Sequence, residues 1–276
     1  MTSTGIAAIV VSYRSAETIE ACLEALKAAS GVEEIRVVDN GSDDGTMEVV
    51  QSLSARDARI RFIANPDNPG FATACNQGAQ ASASPWLAFV NPDLMVEKDS
   101  LSRLVEAAAH NEALMGAVLI DEHGIEDPAS RRRAPDFAAM LRNTSARDLA
   151  VARSAEPYQH VDAISGALMV MSRSVFDSLG GFDTDYRLHA EDLDLCRRVR
   201  NAGHAVCVAN TVRVLHWRGV SSKSRPVFVE WHKHRGLWRY YLKFDAKRYG
   251  PVTDFAVFAL IWARFVVSAL GKVIKR

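Results

Sequence analysis

The feature that most constrains this chain is an alternation of short apolar runs ending in polar turns with longer stretches of helical pattern. Residues 6–12 are almost continuously apolar, as in a strand buried on both faces, and a Tyr-Arg-Ser turn leads into a predicted helix over 16–29. Further strands are predicted at 35–38, 61–63 and 86–90, with helices at 46–53 and 71–81 between them. Units of about 25–30 residues in this order predict an α/β fold, a mostly parallel sheet with helices on both faces. Loops leaving such strands gather at one sheet edge, where α/β proteins bind their ligands.

The pattern continues with a helix at 101–110 and a strand at 117–120. Residues 121–133 are polar and turn-rich, and Arg131-Arg132-Arg133 reads as a solvated surface run rather than a phosphate grip. A strand is predicted at 163–171 with Gly166 at its centre, which fits either close approach by a ligand or a bulge. A short helix follows Ser172, a helix opened by Glu191, Asp192 and Asp194 runs to about Gly203, and two short strands occupy 205–208 and 212–216. A polar stretch, 217–222, closes this part. Beyond Lys223 the pattern is helical, aromatic and basic.

A chain of 276 residues with this apolar content can bury a full core, which excludes disorder. The cysteines, Cys22, Cys75, Cys196 and Cys207, have neither metal-type nor paired spacing, and the chain opens without a signal-peptide pattern. Both point to a reduced, cytoplasmic protein. The formal charge is zero, but residues 1–222 carry 21 Lys/Arg against 30 Asp/Glu while 223–276 carry 12 against 3. That split predicts two parts, an acidic body over 1–222 and a basic helical region over 223–276. The acidic body argues against a nucleic-acid partner.

Acids recur where the strands end. Asp39 closes one strand and opens a tight Asn40-Gly41-Ser42 turn that could present a carboxylate to a base or ribose, although Asp-Asn-Gly is also an ordinary turn. Asp93, beyond Asn91-Pro92, is placed to hold a divalent ion that neutralises a diphosphate. His216 could add an imidazole ligand or serve as a structural histidine. Asp192 or Glu191 could take a proton from an incoming hydroxyl.

These segments, in order, resemble the family 2 glycosyltransferases of the GT-A fold: Val10-Val11-Ser12-Tyr13, Val37 to Thr46, Asn68-Pro69-Gly70-Phe71 with Asn76, Asn91-Pro92-Asp93, Ser165-Gly166-Ala167, Gly180 to Asp183, Glu191 to Leu195, and His216. Within the family they are most similar to bacterial rhamnosyltransferases, which use dTDP-L-rhamnose to build O-antigen-type envelope glycans. The resemblance covers about residues 5–222. It implies a Rossmann-like mixed sheet with a C-terminal helical appendage, a nucleotide-diphosphate sugar donor, and a glycan or glycolipid acceptor. Asp39 would contact the nucleobase. Ser12, Tyr13, Asn68, Gly70, Phe71, Asn76, Asn91, Asp93 and Gly166 would line the nucleotide-sugar pocket. Asp93 and His216 would hold Mg2+ or Mn2+, Asp192 would be the general base of an inverting transfer, and Glu191 would orient acceptor or base. The family's Asp-x-Asp motif is here Asn91-Pro92-Asp93, which lowers the charge at the ion. Rival readings keep the fold but change the donor to UDP-galactofuranose, UDP-glucose or UDP-N-acetylglucosamine, or make the chain a non-catalytic nucleotide-sugar-binding subunit.

Residues 252–271 are long enough to span a bilayer but contain Asp254 and Arg264, each costing roughly 2.5–3.5 kcal/mol at the membrane centre. Arg264, Ser268, Lys272 and Lys275 share one side, with Trp262, Phe265, Val266, Ala269 and Val273 elsewhere. This predicts a helix lying in the plane of an anionic inner leaflet. The alternative is a helix pair packed on the body or on a second copy in a homodimer.

Overall fold

The computed structural model describes residues 5–217 and 226–274. The first half alternates as the sequence pattern requires: β1 (Ile6–Ser12), α1 (Ile19–Ala28), β2 (Val32–Asp39), α2 (Thr46–Ser54), β3 (Ile60–Ala64), α3 (Phe71–Gln80), β4 (Trp86–Val90), β5 (Leu94–Met95), α4 (Ser100–Asn111) and β6 (Ala113–Ile120). The second half is less regular: α5 (Phe137–Arg142), β7 (Tyr158–His160), β8 (Leu168–Ser172), α6 (Arg173–Ser178), α7 (Glu191–Asn201), β9 (Ala205–His216), α8 (Pro226–Phe244) and α9 (Pro251–Ile274).

One mixed sheet runs β3-β2-β1-β4-β8-β6-β9-β5, with β7 beside β9. β3, β2, β1 and β4 are parallel, β6 and β9 are parallel, and β8 lies antiparallel between β4 and β6. Every side chain of β1 is buried because alternate residues feed different layers. Ile6, Ala8 and Val10 pack with Leu23, Leu53 and Leu104 of α1, α2 and α4, whereas Ala7, Ile9 and Val11 pack with Ala72, Leu193 and Tyr241 of α3, α7 and α8. From β1 the chain builds outward through β2 to β3 and then returns to β1's other side as β4. A reversal of this kind is where α/β sheets offer a ligand-binding crevice, beyond the carboxyl ends of the strands, here β1 and β4.

Three expectations are corrected. The strand predicted at 163–171 forms only over Leu168–Ser172, so Gly166 lies in the approach to it; apolarity misled because this approach is also buried, with Ala163 and Ile164 in the core. The two strands predicted at 205–208 and 212–216 are one, β9, carrying a bulge. Ala117 faces Ala209 but Val118 faces Arg213, and Asn210 within the bulge satisfies its amide on Ser154, Glu156 and Gln159. Of the arginine run only Arg133 is exposed. Arg131 is buried and paired with Glu126, and Arg132 is paired with Asp192.

The basic region docks on the acidic body through α8. Lys243 Nζ lies 2.6 Å from Asp194 and 2.7 Å from Asp183, while Arg239 reaches Asp183 at 3.0 Å and Asp185 at 2.5 Å. Burial pushes the Asp183 carboxyl up, but its bonds to Lys243 and Arg239 outweigh this and hold it at about 2. α9 buries Val257 and Ile261 and is tied at both ends: Tyr241 donates to Asp254, and Lys272 lies 2.7 Å from Glu230. Its outer face exposes Val252, Phe255, Val267 and Leu270. By length and composition Pro251–Lys272 could cross a membrane, with a mean hydropathy of 1.7. The expected boundary at 222/223 and Lys275 lie outside the described residues.

Asp194 is fully buried and also accepts from Arg198 at 2.6 Å. Asp194→Ala removes the carboxylate partner of Arg198 and one of the two partners of Lys243, so urea unfolding should show a loss of about 3 kcal/mol, the lower end for a broken buried pair.

Candidate active site

At the carboxyl ends of the parallel strands, Ser12 and Asp39 sit in register. The Asp39 carboxylate, buried at 2% exposure, accepts from Gly41 N at 3.0 Å and Ser42 N at 2.8 Å on one oxygen. Its other oxygen accepts from Ser12 Oγ at 2.8 Å and Ser42 Oγ at 2.5 Å. It therefore builds the turn and braces β1 against the loop after β2. Tyr13 follows at the strand end, with the Arg14 guanidinium 5.6 Å above its ring. The neighbouring loop is shaped by close approach: Gly70 has φ +103, and a Cβ there would lie 2.5 Å from the Arg187 carbonyl. Phe71 N donates to that same carbonyl, and Arg187 Nη2 donates to Asn68 O. Asn76 of α3 reaches the Gly-Gly-Phe-Asp turn: its amide donates to Phe182 O and accepts from Phe182 N, at 2.9 and 2.8 Å.

Asn91 follows β4 and is held by donation of its N–H to Ala167 O at 2.9 Å. Two residues on, Asp93 enters β5, which pairs Leu94 with His216 of β9, and Trp217 N donates to Asp93 O. This register sets His216 Nε2 3.3 Å from Asp93 Oδ1, with His216 Nδ1 4.0 Å from Asp127. Asp93 Oδ1 and His216 Nδ1 are buried and make no hydrogen bond. Among the described residues no group of three or more His, Cys, Asp or Glu side chains could hold an ion. One carboxylate and one imidazole still fit a divalent cation of the kind that completes its shell with substrate phosphates and water. Asp127 is the residue the sequence reading missed here; it caps a short turn after β6, and only the fold brings it to His216.

The acidic pair opens α7. His189 and Ala190, both left-handed at φ 66 and 69, turn the chain so that Glu191 and Asp192 begin the helix. Asp192 accepts from Leu193 N at 2.8 Å on one oxygen; the other takes Gly166 N at 3.2 Å and Arg132 Nη2 at 2.5 Å. Burial pushes this carboxyl up, but the Arg132 pair outweighs it and holds Asp192 below the ordinary range. This is the direction in which an ionised Asp192 is favoured, and its cause includes a partly buried arginine sixty positions upstream. Glu191 is the opposite case. It is buried, its Oε2 makes no hydrogen bond, and burial followed by the charge of Asp192 pushes it up to about 8. At neutral pH the two carboxyls hold different protonation states. The segment 164–167 links the acidic pair to the Asn91–Asp93 turn, since Gly166 contacts Asp192 and Ala167 contacts Asn91.

The profile of the family described as "Glycosyl transferase family 2" matches residues 7–180, more than half of the chain. Among curated proteins, the chain is 26% identical to an N-acetylglucosaminyl-diphospho-decaprenol L-rhamnosyltransferase of Mycobacterium tuberculosis, over 84% of this chain and 85% of that protein. It is 28% identical to the succinoglycan biosynthesis protein ExoA of Rhizobium meliloti, over 89% and 73%. Among solved structures, the mannosyltransferase PcManGT of Pyrobaculum calidifontis with GDP-Man and Mn2+ superposes with a TM-score of 0.63 at 19% identity, over 98% of this chain and 75% of that one. GalNAc-T7 with UDP, GalNAc and Mn2+ gives 0.66 at 14% identity, over 86% of this chain and 47% of that longer one. Sheet order, strand-edge acids and profile agree: the chain has the GT-A fold and belongs to glycosyltransferase family 2.

Proposed function

We propose that this chain is an inverting transferase that moves L-rhamnose from dTDP-L-rhamnose to a hydroxyl of a lipid-linked envelope glycan at the inner face of the plasma membrane. The observation that carries this reading is the contrast between Asp192, paired with Arg132, and its neighbour Glu191, buried with an unpartnered oxygen, in a chain similar along most of its length to a rhamnosyltransferase. A second reading keeps the chemistry with another nucleotide sugar, because other relatives are a succinoglycan biosynthesis protein and a poly-beta-1,6-N-acetyl-D-glucosamine synthase.

In this reading Asp39, Ser12, Tyr13 and Asn76 receive the nucleotide end, and Asn68, Gly70, Phe71, Asn91 and Gly166 line the diphosphate and sugar. Asp93 and His216 hold a divalent cation, Mg2+ or Mn2+, which when bound neutralises the departing diphosphate. Asp192 takes the proton of the acceptor hydroxyl as its oxygen bonds to the anomeric carbon and the sugar–phosphate bond breaks, its electron pair leaving with the nucleoside diphosphate. Arg132 keeps Asp192 ionised before the proton arrives. Glu191, protonated at neutral pH, donates a hydrogen bond that orients acceptor or base. The exposed apolar face of α9 and the exposed Lys247 and Arg248 before it support peripheral attachment to an anionic leaflet.

Donor hydrolysis across dTDP-rhamnose, UDP-galactofuranose, UDP-glucose and UDP-N-acetylglucosamine should favour dTDP-rhamnose; preference for any other sugar refutes the donor assignment. Asp192→Asn should lower transfer by about a thousandfold while dTDP affinity, measured by calorimetry, stays within about twofold. Glu191 in the folded chain titrates at about 8, above the unfolded value of about 4.3, so the native state loses stability as pH rises from about 5 through 8. Glu191→Gln should remove that component, and its melting temperature should gain on the wild type steadily across the same window.

A further inference from the structure

A cleft of about 290 Å³ lies between the turn that follows β6 and the segment 150–153. That is close to the roughly 300 Å³ at which small-molecule sites begin. Its lining is of two kinds. Pro128, Val151 and Ala152 are apolar, and Glu126, Asp127, Arg131 and Arg153 are charged, two carboxylates against two guanidinium groups. The charged set forms a fixed network. Glu126 takes Arg131 on one oxygen and Arg153 on the other, the latter at 3.0 Å, and both arginines continue to Asn210, on its side-chain oxygen at 3.3 Å and its carbonyl at 3.0 Å. Arg131 is buried, whereas Glu126 and Arg153 leave 28% and 45% of their side chains open to water. Backbone bonds hold the surround in place: Val151 N donates to Arg131 O, Arg133 N to Leu149 O, and Asp127 N to Leu119 O.

Balanced charge gives the cleft no net pull on a phosphate or a cation. What it offers is a carboxylate acceptor beside guanidinium donors at fixed spacing, a set matched by neighbouring hydroxyls, each of which both donates and accepts. The apolar lining suits C–H surface on the same molecule. A neutral pyranose has both, hydroxyls on its rim and C–H groups on its faces. The cleft also adjoins the candidate active site. Asp127 lines it and lies 4.0 Å from His216 Nδ1, and the residue after Arg131 is Arg132, which holds Asp192. We infer that this cleft is a sugar subsite, in which Glu126 and Arg153 bind a neutral pyranose unit of the acceptor. The word acceptor rests on the transferase reading above; the sugar site does not.

Two measurements on the intact chain test it. In NMR titrations without nucleotide, at least one of the methyl glycosides of glucose, galactose, N-acetylglucosamine and rhamnose should shift the amides of Val151 and Arg153, and inorganic phosphate should not. Arg153→Ala should weaken that binding by about tenfold, the loss of one charge-assisted hydrogen bond. Ala152→Trp, which fills the cleft and leaves the ion pairs in place, should abolish it. In transfer assays with the octyl glycoside of the same sugar and the nucleotide sugar that the chain hydrolyses fastest, both variants should raise the acceptor KM by about tenfold and leave the donor KM and donor hydrolysis within about twofold. Glycosides that leave those amides unmoved overturn the assignment, as does tighter binding of phosphate there. So does an equal rise in the donor KM, which would give the cleft to the donor's sugar. Glycoside binding that Ala152→Trp abolishes, in a protein that turns over no nucleotide sugar, would keep the sugar subsite and refute the transferase reading instead.

Discussion

The structure depends on carboxylates kept close together without flying apart. Asp183, Asp185, Glu191, Asp192 and Asp194 fall within twelve positions, and most of them are shielded from water. Like charges at such spacing in a poorly hydrated setting repel strongly. Three means of relief operate at once. Cations arrive from distant parts of the chain, Arg132 from before α5 and Arg239 and Lys243 from α8; backbone N–H groups at the start of α7 and at Gly166 share the load; and Glu191 keeps its proton. The docking of α8 is therefore part of how the acidic centre exists at all, and the opposite charges of the two chain regions are the mark it leaves on composition.

That distribution divides labour between adjacent residues. Glu191 and Asp192 have nearly the same intrinsic acidity, but one keeps an oxygen buried without a hydrogen-bond partner and the other faces a guanidinium. A helix dipole cannot account for the difference, since both occupy the same first turn. The sorting is done by a tertiary contact.

Much of the fold was legible from the chain. Strands buried on both faces announce themselves as unbroken apolar runs, and the β1 to β4 half follows from them with boundaries close to those observed. The second half was harder for physical reasons. An apolar approach such as Ala163-Ile164 looks like a strand even where it makes only an isolated bridge, from Ala163 to Arg132, and a bulge at Asn210 looks like a break because its polar residues find partners from another loop. Arg131 and Arg132 were read as solvated because their partners, Glu126 and Asp192, are matched to them only after folding. Among candidate site residues, those tied to strand ends, such as Ser12, Asp39 and Asp93, could be placed from position alone. Asp127 and Arg132 could not, as each acts through a long-range contact.

The backbone of Arg187 carries one further consequence. Its carbonyl anchors Phe71 and its guanidinium anchors Asn68, so the loop on one flank of the crevice and the turn before α7 on the other share a single hinge pin. A ligand that shifts either flank changes the free energy of the other, and thermodynamic reciprocity makes that influence equal in both directions. Through this one residue the two flanks are coupled symmetrically: whichever molecule binds first, the other's affinity changes by the same factor.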